Sequence, residues 1–173
     1  LSFYYSFANV FLNDLGMEGA AGKMIYGQIS EAIFILAIPF LYYRLGVKNI
    51  LIIGIAAWAL RFFFFANGDL ETYYWMIISG ILLHGICYDF FFVTGYMYTE
   101  NKAGEKIKNA AQGLFTVATY GIGMTIGSWF SGIITDSNTI EGIKNWGDIW
   151  MVPAYISGAV LLFLVIFFKE KNK

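Results

Sequence analysis

The chain of 173 residues is 58% hydrophobic and 20% aromatic, only 13% of it is charged, and its formal net charge is −1. A soluble domain has about a quarter of its residues charged, so the composition argues against a water-soluble globule and, lacking any basic excess, against a nucleic-acid partner. One histidine and one cysteine, Cys87, leave no metal-ligand set and no internal disulfide.

In chain order, 1–13 is apolar and aromatic but too short to span a bilayer. It reads as a partial helix cut in mid-span, as if an N-terminal part were missing. Five longer stretches follow, and the charges leave them almost untouched. Segment 24–43 holds only Glu31, 50–66 only Arg61 and 73–98 only Asp89, while 109–135 and 150–168 hold none. A hydrocarbon core of about 30 Å needs roughly 20 apolar residues of helix, and backbone in lipid must satisfy its own hydrogen bonds. The fold class predicted is therefore an all-α membrane protein with five complete spans. Pro39 predicts a kink in the first of them. A tight turn is predicted at "RLGVKN", Arg44 to Asn49, another at "NGD", Asn67 to Asp69, and a long polar loop over Asp136 to Gly147.

The loops predict orientation. Connections 13–23, 67–72 and 136–149 hold Lys23 and Lys144 as their only basic residues, among seven acids. The other side holds Arg44, Lys48, Lys102, Lys106, Lys108, Lys169, Lys171 and Lys173. Short basic loops stay cytoplasmic, so the C-terminus is expected inside.

Glu31, Arg61 and Asp89 carry the chemistry. At about 1.5 Å of rise per residue, Asp89 lies roughly 12 Å in and Arg61 roughly 17 Å in from the cytoplasmic side, with Glu31 again near the middle. Facing lipid, each would cost about 2.5–3.5 kcal/mol or more. All three are expected to face the bundle interior, with Glu31 and Asp89 turned toward one shared wet pocket. Gln28 lies three residues before Glu31 on the same helix face. Arg61 is expected in a structural ion pair with one acid. One cation cannot compensate two carboxylates, so the other must be protonated, solvated or held by a ligand. His84 and Tyr88, four apart, share a face beside Asp89. In "GIGMTIGSWFSG", the pairs Gly123/Gly127 and Ser128/Gly132 have the small-residue spacing of close helix packing. Gln112 reads equally as a gate or as a solvated cap.

The segments "GQISEAIFILAIPF", "RLGVKN", "AWALRFFFFANGD", "GICYDFFFVTGYMY", "AAQGLF" and "GSWFSGIITD" resemble, in the same order, the C-terminal half of the bacterial nucleoside:proton symporters of the major facilitator superfamily. The resemblance implies a six-helix half-bundle with its first helix truncated, pairing with an N-terminal half of the same transporter. It implies that Gln28, Glu31, His84, Tyr88 and Asp89 lie at or near a nucleoside site, and that Arg61 sits on a peripheral helix. His84 stands where tyrosine is expected in that family and Tyr88 where phenylalanine is usual, with Ser2 and Tyr5 in the place of two amides.

The function expected is proton-coupled nucleoside uptake across a bacterial inner membrane by rocking of two halves, without enzymatic activity or cofactor. Glu31 and Asp89 are the proton-coupling candidates, because desolvation favours the protonated form of a carboxylate. Gln28 offers a donor and an acceptor to a base edge, and Tyr88 a ring to stack on it. A symporter for sugars or other small polar solutes, and a non-transporting membrane scaffold, are the alternatives.

Overall fold

A computed structural model describes residues 1–168; Lys169, Lys171 and Lys173, used above for orientation, lie outside the described residues. Helix α1 (Ser2–Asp14) buries Phe3, Tyr4, Ala8, Phe11 and Leu12 along one stripe. It ends where Gly16 takes φ 85°.

Helix α2 (Ala20–Asn67) is 48 residues long with one departure from helical angles, Gly46 at φ 76° and ψ 162°. Glycine lacks the Cβ that makes this region costly, and the chain reverses there. Ile38 and Ile50 share one core cluster, and Ser30 and Phe34 line a cavity with Leu60 and Phe64. The two limbs of α2 are therefore an antiparallel hairpin. The turn predicted over Arg44 to Asn49 shrinks to a single non-helical residue, while the backbone keeps helical angles at Pro39.

Helix α3 (Tyr74–Ala103) and helix α4 (Lys108–Ser137) are 30 residues each, or about 45 Å, so their ends extend beyond the hydrocarbon. Each contains a π turn, Asp89–Val93 in α3 and Val117–Gly123 in α4. A π turn admits one extra residue and shifts every side chain after it around the helix. A short hairpin, β1 (Thr139–Ile140) with β2 (Ile143–Lys144), leads into α5 (Trp146–Phe167). Lys144 reaches back to Asp14 at the end of α1, 3.0 Å away, and the Trp146 indole donates to the same carboxylate at 3.2 Å. The α2 hairpin and α3 to α5 are each long and apolar enough to cross a membrane.

The core is aromatic. Trp150 is fully buried and packs on Phe11, Phe62 and Phe65 with ring centroids 5.5, 5.8 and 5.2 Å away. Between α2 and α3 the approach is closer still. Gly54 lies against Phe90, where an added Cβ would sit 2.9 Å from the Phe90 Cβ. Trp58 donates to the Cys87 carbonyl at 3.0 Å, just where the helix ladder changes to π. The small-residue expectation for α4 needs correction. Only Gly127 closes on a neighbour, Ser2 of α1, whereas Gly132 has nothing within 4 Å, Ser128 is exposed, and Gly123 meets only Ala118 of its own helix. The reason is that α4 fully buries nothing before Ser131 and meets α3 there through longer side chains, such as Phe115 against Gly95 and Tyr96, instead of through its glycines.

The loop before α3 is tied by Asp69, whose Oδ1 accepts from the backbone N–H groups of Glu71, Thr72 and Tyr73 at 2.7, 2.6 and 3.1 Å. These donors, that of Tyr73 foremost, hold its carboxyl below the usual range. A depressed folded-state value means the stabilisation is fully present above the unfolded-state value of 3.8 and is lost as pH falls through the lower folded one. Carboxyl NMR of aspartate-labelled protein is therefore expected to show Asp69 still ionised at pH 3.8, where an ordinary aspartate is half protonated. Half-protonation of Asp69 at that pH would contradict the clamp.

Candidate functional site

The site is built where the N-terminal limb of α2 crosses α3. Gly85 permits the crossing: a Cβ there would lie 2.5 Å from the Glu31 amide nitrogen and 2.6 Å from the Ser30 carbonyl oxygen. Ser30 locks it by donating to the Leu82 carbonyl at 2.6 Å. With Gly27 and Ser30 turned into α3, Gln28 and Glu31 fall on the free side of the limb, Gln28 exposed and Glu31 partly buried.

Among the predicted site residues, Glu31, His84 and Tyr88 are brought together. His84 Nε2 lies 3.5 Å from Glu31 Oε2, and the His84 and Tyr88 rings are 5.8 Å apart. Asp89 follows at the start of the π turn, fully buried, with neither carboxylate oxygen hydrogen-bonded. Two cavities of this chain are lined by other residues. A cavity of about 560 Å³ lies on the other side of the α2 limb, lined by Tyr26, Ile29, Ser30 and Ile33 and by residues of the second limb and α3. A smaller one, of about 180 Å³, is bordered by Leu1, Trp58 and Phe62. Neither is lined by Glu31 or Asp89. The free face of Gln28 and Glu31 is open in this chain because no helix here covers it.

The expected ion pair at Arg61 is also corrected. Arg61 is fully buried, but no carboxylate pairs with it among the described residues. Its Nη1–H donates to His84 Nδ1 at 3.0 Å, and its guanidinium lies 3.5 Å from the centroid of the Tyr4 ring. Helical spacing gave its face but not the helix opposite, which presents a histidine there instead of an acid. Two neighbours, Tyr4 and Tyr120, escaped the sequence reading, and Tyr5 entered it only as the replacement of an amide. Tyr4 stacks on His84 at 5.1 Å, and the exposed Tyr5 meets it edge-on at 6.4 Å. Tyr120, in the π turn of α4, shares a hydroxyl–hydroxyl hydrogen bond with Tyr88. A tyrosine among apolar residues reads as packing, so this pairing left no signal in the sequence. Farther along, Gln112 donates to Glu100 at 3.0 Å, which ties α4 to α3 at the end carrying Lys102 and Lys108.

A family model described as Nucleoside H+ symporter matches residues 1–173. The chain belongs to the nucleoside H+ symporter family. Within that family it is 38% identical over 142 residues to the xanthosine permease of Escherichia coli (strain K12), covering 82% of this chain and 33% of that one. It is 33% identical over 174 residues to the nucleoside permease NupG of the same organism, covering 99% and 42%. The crystal structure of the nucleoside transporter NupG superposes with a TM-score of 0.87 at 33% identity, over 95% of this chain and 44% of that one. A single-substitution variant of it gives 0.91 at 32% identity, over 96% and 44%. This member of the nucleoside H+ symporter family thus has the all-α fold of part of a major facilitator superfamily transporter. It spans about two fifths of the length of NupG.

Proposed function

We propose that this chain forms part of a transporter that takes up nucleosides together with protons by alternating access. Gln28, Glu31, His84, Tyr88 and Asp89 line its substrate side, and Glu31 and Asp89 carry the proton. The transporter lies in the bacterial inner membrane with the C-terminus of this chain cytoplasmic, and a second half-bundle covers the open face of Gln28 and Glu31. The observation that carries the reading is Asp89: a carboxylate removed from solvent, with no donor on either oxygen, inside a span. An unpaired charge there is costly, so a proton, or the hydroxyl of a substrate, is what that position accommodates. The printed names of the relatives, a xanthosine permease and a nucleoside permease, support nucleosides as that substrate class. Secondary transporters hold substrate and coupling ion near the midplane between two repeats, the depth at which Glu31 and Asp89 stand.

The test is thermal stabilisation of the full-length protein by a panel of nucleosides. At 100 times its dissociation constant a true substrate adds about 2.7 kcal/mol, and the melting temperature is expected to rise with at least one nucleoside and not with free ribose or glucose. Ribose or glucose outcompeting every nucleoside would favour a sugar carrier. No stabilisation by any small solute would point to a scaffold.

A further inference from the structure

Arg61 is a buried guanidinium held without an acid. Its cation is accommodated by aromatic faces, with Tyr4, Phe65 and Trp58 ring centroids 3.5, 5.6 and 5.8 Å away. Its Nη1–H donates to His84 Nδ1 at 3.0 Å. That bond has a chemical consequence. Arginine keeps its protons and only donates, so Nδ1 must offer a lone pair. A neutral imidazole then carries its proton on Nε2, and Nε2 is the nitrogen facing Glu31 Oε2 at 3.5 Å. The ring has little freedom to turn over, being 5% exposed and stacked on Tyr4.

We infer that Arg61 is a positioning residue acting through His84: it fixes one tautomer, so that an N–H and never a lone pair is presented to Glu31 beside the candidate substrate face. This rests on the reading of Glu31 as a site residue. At 3.5 Å the N–H is at the edge of hydrogen-bonding range, and a small rotation of the carboxylate closes the bond. The donor therefore engages Glu31 in one orientation and leaves its second oxygen for a substrate hydroxyl.

The test uses the full-length protein and four variants, R61M, H84F, the double variant and H84Q. R61M and H84F are each expected to raise KM for nucleoside roughly tenfold, the scale of one hydrogen bond to a charged group. The double variant should be no worse than either, because both act on the same donor: H84F removes it, and R61M frees the ring to present a lone pair in its place. H84Q keeps an acceptor for Arg61 and an N–H for Glu31 and should hold KM within about threefold of wild type. Additive losses, or H84Q behaving like H84F, would overturn the inference. A measurement independent of transport is the nitrogen-15 spectrum of histidine-labelled wild-type protein, with the His84 signal assigned by its loss in H84Q. An Nε2-protonated ring is expected, and an Nδ1-protonated ring overturns the proposal even if the other variants do not fold. Failure of the transport reading shows separately, as nucleoside accumulation that survives E31Q while the tautomer remains as stated.

Discussion

Replacing Glu31 with glutamine, or Asp89 with asparagine, is expected to abolish uphill accumulation of nucleoside by the full-length protein. Both substitutions keep shape and one acceptor oxygen, exchange the other for an NH2 donor, and remove the ability to bind and release a proton. Asp89→Asn meets no lost partner, since neither oxygen of Asp89 is hydrogen-bonded. Glu31→Gln keeps an oxygen to face His84. A charge crossing a potential of about 100 mV carries about 2.3 kcal/mol. One proton per substrate therefore supports roughly fifty-fold accumulation, at about 1.4 kcal/mol per factor of ten. In the variants that ratio should fall to about one, while exchange of labelled for unlabelled nucleoside down a gradient continues. The check is uptake of labelled uridine into vesicles under an imposed pH gradient. Normal concentration by both variants would remove the proton-coupling role of these two acids.

Gly85→Ala is expected to be the most damaging single methyl group in the chain. The added carbon would sit 2.5 Å from the Ser30 carbonyl carbon and the Glu31 nitrogen. These are backbone atoms that cannot rotate aside, so α2 and α3 must separate at the point where Ser30 bonds to Leu82. Overpacking costs about 1–3 kcal/mol; the backbone obstacle puts this case at the top of that range, and alanine's better helix propensity returns about 1 kcal/mol. The net expectation is a loss of about 2 kcal/mol, together with a weaker substrate response because Glu31 and His84 move apart. Gly132→Ala is the contrast: with nothing within 4 Å of the added carbon, it should leave stability unchanged or raise it by up to about 1 kcal/mol. Thermal unfolding in detergent decides both. An unchanged midpoint in Gly85→Ala would mean that the two helices are not tightly locked there.

The long apolar helices were legible because long neutral stretches need only hydropathy and length to be read. The buried Arg61 and Asp89, and the partly buried Glu31, were legible as ionisable groups that lipid would penalise. Helix-to-helix detail was not. Periodicity says which face a residue takes and nothing about what stands opposite, so Arg61 was matched to an acid when His84 was its neighbour. Small-residue spacing pointed to Gly123, Gly127, Ser128 and Gly132, yet the closest backbone approach falls at Gly85, whose glycine neighbour on α3, Gly80, is off that spacing. Neither π turn leaves a mark in composition, since a shift from four-residue to five-residue hydrogen bonding is set by tertiary contacts such as the seat of Phe90 on Gly54.

The reversal at Gly46 limits what can move. A linker of several residues would let the two limbs of α2 slide or tilt independently. One residue at φ 76° between two continuous helices leaves little chain to take up sliding, so the limb bearing Glu31 and the limb bearing Arg61 are expected to move as one unit. During any rocking of the bundle, the histidine between them keeps the same two neighbours, and the loaded and empty carriers would differ in what covers the outer face of Glu31 more than in how it is held from behind.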